Sequence, residues 1–185
     1  NIIGENMFEK LFDIDPKVSN IIISNNELKA IYIYDFFVTT KKSILVVANT
    51  LFEANKIYHD LENYTDKVLF FPMDDFLTSE ALAISPELEI TRLETINELL
   101  KEKATIVVTN LMGYLRYLSK KEIYKNKILT IKKSSTINSN NILSVLSELG
   151  YKREITVTKT GEMAIRGYVI DIFPIDELAP IRIEL

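Results

Sequence analysis

Cysteine and tryptophan are absent from the 185 residues, histidine occurs once, and glycine and proline occur five times each. Without cysteine there is no disulfide and no thiolate metal site, so a reducing compartment such as the cytoplasm is the simple expectation. The one histidine, His59, has no second histidine or cysteine at metal-ligand spacing, and is expected to be exposed or to cap a helix. No apolar run approaches the ~18 residues that would span a membrane, and the first residues lack the layout of a signal peptide. Charge is not strongly biased either. The net value is −4, and the basic clusters at Lys41-Lys42, residues 101–103, Lys120-Lys121 and Lys132-Lys133 are short and scattered. That is not the basic footprint of a domain that grips nucleic acid by itself. A serine nucleophile elbow and a glycine-rich phosphate loop are missing as well. The carboxylate pairs Asp13/Asp15 and Asp74-Asp75 are expected in loops or caps, since acid–base work needs carboxylates in contrasting environments within one cleft.

What is present is an ordinary globular balance, with 47% hydrophobic and 26% charged residues, in a chain long enough to bury about 70% of its unfolded surface. The first part alternates strand and helix. Residues 18–24 and 43–48 read as buried strands, and the second is the continuous β-branched run of a parallel sheet covered on both faces. Residues 27–39 read as a well-buried helix, apolar almost all round. Asn49-Thr50 can cap a helix running to about Asn63, with Leu51, Ala54, Ile57, Tyr58 and Leu61 on one stripe. Residues 68–71 form a third strand. Ser85-Pro86-Glu87 starts a helix that ends near Lys101, and residues 105–108 form a fourth strand. Within that helix Arg92 sits among apolar positions and is expected to play a structural part, paired with Glu89 or an acid of the Asp74 loop. This β-α-β-α order argues for an open parallel sheet.

The pattern changes near residues 110–115. A helix at 111–118, a strand at 127–132, a polar loop at 134–141 and a helix at 142–149 follow, with Gly150 able to end that last helix. Residues 150–185 then alternate like strands. Two such runs flank Lys159-Thr160-Gly161, a hairpin signal. If Thr158 faces Glu162, Ile155 pairs with Ile165, Val157 with Met163 and Glu154 with Arg166, which would make Arg166 a solvated cross-strand partner.

The literal residues of this block carry more. Gly150-Tyr151-x-Arg153, Gly161-Glu162 and Arg166-Gly167-x-Val169-Ile170-Asp171-Ile172-Phe173-Pro174, then Pro180-Ile181-Arg182-Ile183-Glu184-Leu185, resemble the domain shared by the excision-repair protein UvrB and the transcription-repair coupling factors. In that family the domain is a docking platform for UvrA, the damage-sensing ATPase. Carried over position by position, the resemblance implies that Arg153 and Arg166 contact UvrA with Phe173 as the apolar neighbour. Thr160 and Ala164 stand where UvrB has further arginines, which implies a weaker or differently tuned interface.

Helicase relatives of UvrB carry a phosphate-cradling G-x-x-x-x-G-K-[ST] loop after the first strand. The matching segment here begins at Ile23 and ends Leu28-Lys29-Ala30. Lys29 fills the lysine slot, but Ile23 and Leu28 replace both glycines and Ala30 replaces the metal-binding hydroxyl, which blocks close backbone approach. Residues 70–92 are short and contain no tyrosine, so the tyrosine-rich damage hairpin of UvrB is missing too, and with it a stacking platform for single strands. The resemblance therefore favours the N-terminal region of a coupling factor over UvrB.

It implies an α/β chain: residues 1–112 as a degenerate RecA/helicase-like parallel-sheet domain without a phosphate loop, and residues 113–185 as a small α+β UvrB domain-2-like module with antiparallel strands. The missing starting methionine and the strand-like run stopping at Leu185 suggest a piece of something longer. The expected function is UvrA recruitment to RNA polymerase stalled at DNA damage, in the bacterial cytoplasm, with no cofactor and no catalysis in this stretch. RNA polymerase and double-stranded DNA would be engaged by other regions. The alternative is a divergent UvrB-type ATPase that binds DNA.

Overall fold

The β-branched run after Ser43 becomes strand β1 (Ile44–Ala48), and it pairs in parallel with β3 (Ile106–Asn110), which pairs in parallel with β2 (Val68–Phe71). The computed structural model describes residues 12, 15–17, 20–75, 86–126, 128–132, 139–175 and 177–185. The chain splits into two compact units, Asn1–Tyr117 and Leu118–Leu185.

In the first unit the sheet order is β1-β3-β2, so all five residues of the central strand are buried. Helices α1 (Asn26–Thr40) and α2 (Leu51–Glu62) supply Ala30, Tyr34, Phe37, Ala54 and Leu61 to a core shared with Ala48, Val68, Ile106 and Val108. Their starts follow the sequence. Asn25 accepts the Glu27 N–H at 2.8 Å and Thr50 Oγ1 accepts the Glu53 N–H at 3.2 Å. Each side chain satisfies a backbone donor that the first helical turn leaves unpaired. Helix α3 (Pro86–Leu99) packs against β2. Arg92 on it is buried and donates to the Pro72 carbonyl at 2.9 Å, a structural role as expected, although its hydrogen bond goes to backbone and Glu89 and Asp74 act on it as nearby charges.

The sequence expectations fail at identifiable places. Residues 20–24 of the first expected strand run outside any strand, with Ile22 96% exposed, while Val18 and Ser19 lie outside the described residues. The parallel sheet therefore has three strands, not four, among the described residues. Coverage on both faces also stops short at edge strand β1, where Leu45 and Val47 are exposed. Helix α4 (Leu111–Tyr114) ends four residues early. The expected cap Ser85 lies outside the described residues. Residues 128–132 are irregular rather than a strand and follow a helix, α5 (Lys121–Asn126), that the apolar pattern did not announce.

At the C-terminal ends of β2 and β3 the chain is tied down by one fully buried side chain. Asn110 Oδ1 accepts from Met73 N at 3.1 Å and Gly113 N at 3.3 Å, while its Nδ2 donates to Met73 O and to Asp75 Oδ1, both at 2.7 Å. Asp75 in turn receives the Leu51 N–H on both carboxylate oxygens at 2.9 Å, so it caps α2 from 24 residues away. Gly113 completes this edge, because a Cβ there would lie 2.3 Å from Thr109 Oγ1 and 2.9 Å from the Phe71 carbonyl.

In the second unit α6 (Ser139–Glu148) sets Ile142 and Leu146 against Met163, Ile170 and Ile172. Gly150 ends it as the pattern indicated: φ is +93°, Tyr151 N–H donates to Leu146 O at 2.9 Å and Gly150 N–H to Ser147 O at 3.0 Å. These are the two bonds of a Schellman cap. The sheet runs β4-β5-β6-β7, with β4 (Lys152–Arg153) parallel to β5 (Glu162–Arg166), and β6 (Val169–Ile172) and β7 (Ile181–Glu184) antiparallel in turn. The sheet is thus mixed, not antiparallel throughout.

The expected hairpin about residues 159–161 does not form. Lys152 pairs with Glu162 and Arg153 with Met163 in parallel register, Ile155 is 88% exposed, and Glu154 never meets Arg166. Gly161 (φ +81°) instead makes a tight turn closed by Glu162 N–H to Lys159 O, and a bulge in which its N–H donates to Phe173 O at 2.8 Å while Phe173 N–H donates to Glu162 O at 3.0 Å. The Glu162 carboxylate anchors the incoming loop by accepting Thr158 N–H at 2.7 Å and Lys159 N–H at 2.8 Å. The true hairpin is β5–β6, closed by Gly167-Tyr168 with Gly167 at φ +61°, the glycine-first form of a two-residue turn.

Truncating the buried Asn110 to Ala leaves the loop amides and carbonyl it served without partners, and is expected to cost about 2–4 kcal/mol of stability. Asp75→Ala, which removes a helix cap, is expected to cost about 1 kcal/mol. Urea unfolding of the two variants beside wild type measures both, and equal losses would refute Asn110 as the hub.

Candidate protein-docking surface

Strand β6 alternates Ile170 and Ile172 into the core with Asp171 on the opposite face. An aspartate in the middle of an apolar strand, with its side chain 9% exposed, is costly unless its charge is answered. Two strands answer it. Arg182 lies directly across on β7 and grips the carboxylate side-on, Nε to Oδ1 at 2.7 Å and Nη2 to Oδ2 at 3.0 Å. Arg166 reaches in diagonally from β5, Nη2 to Oδ2 at 2.5 Å. The residue on β5 directly opposite Asp171 is Ala164, which offers no competing polar group.

The hydrogen bonds from Arg182 outweigh the desolvation that opposes them, and with Arg166 they hold the Asp171 carboxyl at about 2, below its ordinary 3.8. The carboxylate also raises the Arg182 guanidinium. The arginines keep an open side: their side chains are 55% and 59% exposed over the nearly buried aspartate. Three ionised groups thus leave one net positive charge at the surface, with both guanidinium planes fixed in direction. The expected site residue Arg166 is therefore exposed and oriented, but its partner is Asp171 and not Glu154.

The other two expected docking residues lie elsewhere on the sheet. Arg153 is exposed on edge strand β4, and its parallel register with Met163 puts it on the opposite face from Arg166. No single face carries both arginines. Phe173 is half-buried, held at the end of β6 by its backbone bonds to Gly161 and Glu162. Sequence reasoning passed over Asp171 and Arg182. The signals were a charge inside Val169-Ile170-Asp171-Ile172 and an arginine between two isoleucines at 181–183, each on the outward phase of its strand.

The segment matched to a phosphate loop has no loop geometry. Ile23 is irregular and half-buried, Leu28 and Lys29 are exposed in the first turn of α1, and Ala30 is buried in the core. Lys29 and Lys56 border an open cavity of about 510 Å³ beyond the end of β1. Two amides of the adjoining α2 start are taken by the chain's own oxygens, Leu51 N–H by Asp75 and Glu53 N–H by Thr50, and the Glu53 carboxylate sits there too. A helix start filled in this way presents fewer donors to an anion.

His59 is exposed and pairs with Glu62 at 2.8 Å, in line with its expected role. Among the described residues no group of three or more His, Cys, Asp or Glu is placed to hold a metal, and no helix is long and apolar enough to cross a membrane.

Comparison with known proteins places residues 129–185 in a match to the UvrB interaction domain. The chain is 36% identical to the transcription-repair-coupling factor of Bacillus subtilis (strain 168) over 148 residues, which cover 79% of this chain and 13% of that protein. It is 32% identical to that of Staphylococcus epidermidis over 190 residues, covering all of this chain and 16% of the relative. With that of Staphylococcus haemolyticus it shares 30% identity over 186 residues, covering 98% and 16%. The chain thus spans about a sixth or less of the length of these relatives.

The depressed Asp171 value fixes the sign of a pH effect. A carboxylate lower in the folded than in the unfolded state contributes stability that is complete above the ordinary range near 3.8 and is lost as pH falls toward about 2. Urea midpoints measured between those limits are expected to fall in wild type and to fall less steeply in Asp171→Asn. Parallel profiles for the two proteins would contradict the clamp.

Proposed function

Because the chain belongs to the transcription-repair-coupling factors and carries a UvrB interaction domain at residues 129–185, we propose that it is a protein-docking module for UvrA. In this reading it corresponds to the N-terminal region of the relatives. It recruits UvrA to RNA polymerase stalled at DNA damage, in the bacterial cytoplasm. Contacts with RNA polymerase and double-stranded DNA, and the ATP-driven motor, belong to parts of the relatives that this chain does not match.

The observation that carries the reading is the exposed Arg166 guanidinium held in place by Asp171 within the matched domain. An arginine whose direction is already set loses less conformational freedom on binding, and its planar fork suits a carboxylate of the partner. Arginine is also enriched among residues that dominate binding energy. Phe173, half-buried two residues beyond Asp171, adds apolar area beside the clamp. Arg153 is the weaker member of the set, because it lies on the other face at the sheet edge and reaches a partner only if that partner wraps the edge.

The absence of catalysis is part of the same proposal. It is supported by the lost glycines at Ile23 and Leu28, by Ala30 in the core, and by the occupied amides at the start of α2. The competing reading, a divergent UvrB-type ATPase, requires Lys29 to work as a phosphate-binding lysine.

Titration of the chain with UvrA, and separately with ATP-Mg and duplex DNA, tests the two readings. UvrA is expected to bind, with Arg166→Ala weakening the complex about tenfold or more. Micromolar ATP binding abolished by Lys29→Ala would reverse the conclusion.

A further inference from the structure

We propose that Arg182 is a second docking residue, joined to Arg166 through Asp171 as one double-guanidinium surface, and that this surface takes the carboxylates of an acidic segment on the partner protein. The inference rests on the docking reading above and extends it from one arginine on β5 to a site spanning β5, β6 and β7. Asp171 is the positioning residue of that site.

The geometry carries the argument. Arg166 Nη2 and Arg182 Nη2 share a single oxygen, Asp171 Oδ2, so the two guanidiniums stand side by side although they come from non-adjacent strands. Arg182 spends Nε and Nη2 on the aspartate, which turns its Nη1 edge outward, and Arg166 spends one Nη2 donor. Each side chain remains more than half exposed. Pairing with Asp171 accounts for one side of each guanidinium and leaves the rest of it open to solvent. Here a nearly buried carboxylate fixes both while their outer edges face solvent, an arrangement that holds a pair of bidentate donors ready.

Charge favours an acidic protein over nucleic acid as the occupant. Residues 118–185 carry 11 Lys and Arg against 8 Asp and Glu, whereas the whole chain is at −4, so the cationic excess is small and confined to this unit. On the same face Glu184 follows Arg182 by two residues, and Glu162 lies on β5 in phase with Arg166. A continuous polyphosphate track would run over these acids, while isolated carboxylates can seat on the two guanidiniums between them. High affinity for duplex DNA also draws on several phosphate contacts, and this face offers two arginines and, at the sheet edge, Lys152 in register with Glu162.

The experiment titrates purified UvrA into the 185-residue chain for wild type, Arg166→Ala, Arg182→Ala, Arg182→Lys and the double alanine variant, with urea midpoints measured in parallel. Arg182→Ala is expected to weaken binding about fivefold or more, and the double variant to lose less than the product of the single losses, because each arginine orients the other through Asp171. If the alanine variant unfolds, Arg182→Lys decides: it keeps a cation against Asp171 without the fork, and is expected to lose about threefold or more. A glutamate-rich peptide should compete with UvrA for wild type, and duplex DNA should not.

Wild-type affinity in every folded Arg182 variant, with binding still lost in Arg166→Ala, overturns this inference and leaves the docking reading standing. Competition by DNA but not by the peptide overturns the carboxylate assignment. No binding of UvrA to wild type overturns both readings together.

Discussion

One carboxylate, Asp171, organises the second unit and its surface at once. It sits on the inner strand β6 with almost no solvent, and burying an ionised group without partners is prohibitive. Its two partners come from the strands on either side, so the same contact that makes the aspartate tolerable also registers β5 against β6 and β6 against β7. The hydrophobic core beneath, from Ile142 and Leu146 to Met163, Ile170 and Ile172, fixes which face is inward. Once that is set, period-two alternation forces Asp171 outward and brings Arg166 and Arg182 with it. The exposed pair of guanidiniums is in this sense a by-product of satisfying one charge.

The first unit shows the same economy at a different place. In an open parallel sheet, ligands enter at the C-terminal ends of the strands, where backbone donors and helix starts converge. Here Asn110, Asp75 and the close approach at Gly113 tie down the part of that edge beyond β2 and β3, while the cavity bordered by Lys29 and Lys56 lies open beyond β1. Asp75 supplies to the start of α2 the negative charge that a bound phosphate would supply elsewhere. A chain that caps this helix with its own acid has less to offer an anion, and this agrees with the proposed lack of catalysis and with a segment that has Ile23, Leu28 and the buried Ala30 where a phosphate loop would need glycines and a hydroxyl.

Much of the local structure was legible residue by residue. The cap Thr50, the strand after Ser43, the proline that opens α3 and the Schellman glycine Gly150 all lie at or close to the places the sequence indicated. These features depend on φ preferences and on side chains that reach neighbouring backbone. The two strands that failed to form share one cause. Residues 20–24 and 128–132 have strand-like composition but no partner strand among the described residues, and an isolated apolar run cannot hold an extended form without a ladder. The turn at Gly161 was recognised, but whether it folds the chain back or sends it on beside a parallel neighbour depends on what lies across the sheet. Two glycines, Gly161 and Gly167, offered hairpins six residues apart, and only packing selected the second.

By itself the sequence determined helices α1 to α3, three strands of the parallel sheet, the Thr50 cap, the lack of glycine at Ile23 and Leu28, and the family likeness of residues 150–185, because each of these is written in contiguous residues. It also marked Arg166. The tertiary structure decided the register of the closing sheet, the placement of Arg153 and Arg166 on opposite faces, and the joining of Arg166 to Arg182. Those depend on residues brought together by strand pairing, here Arg166, Asp171 and Arg182. No local propensity encodes a charge being answered from a strand that comes eleven residues later.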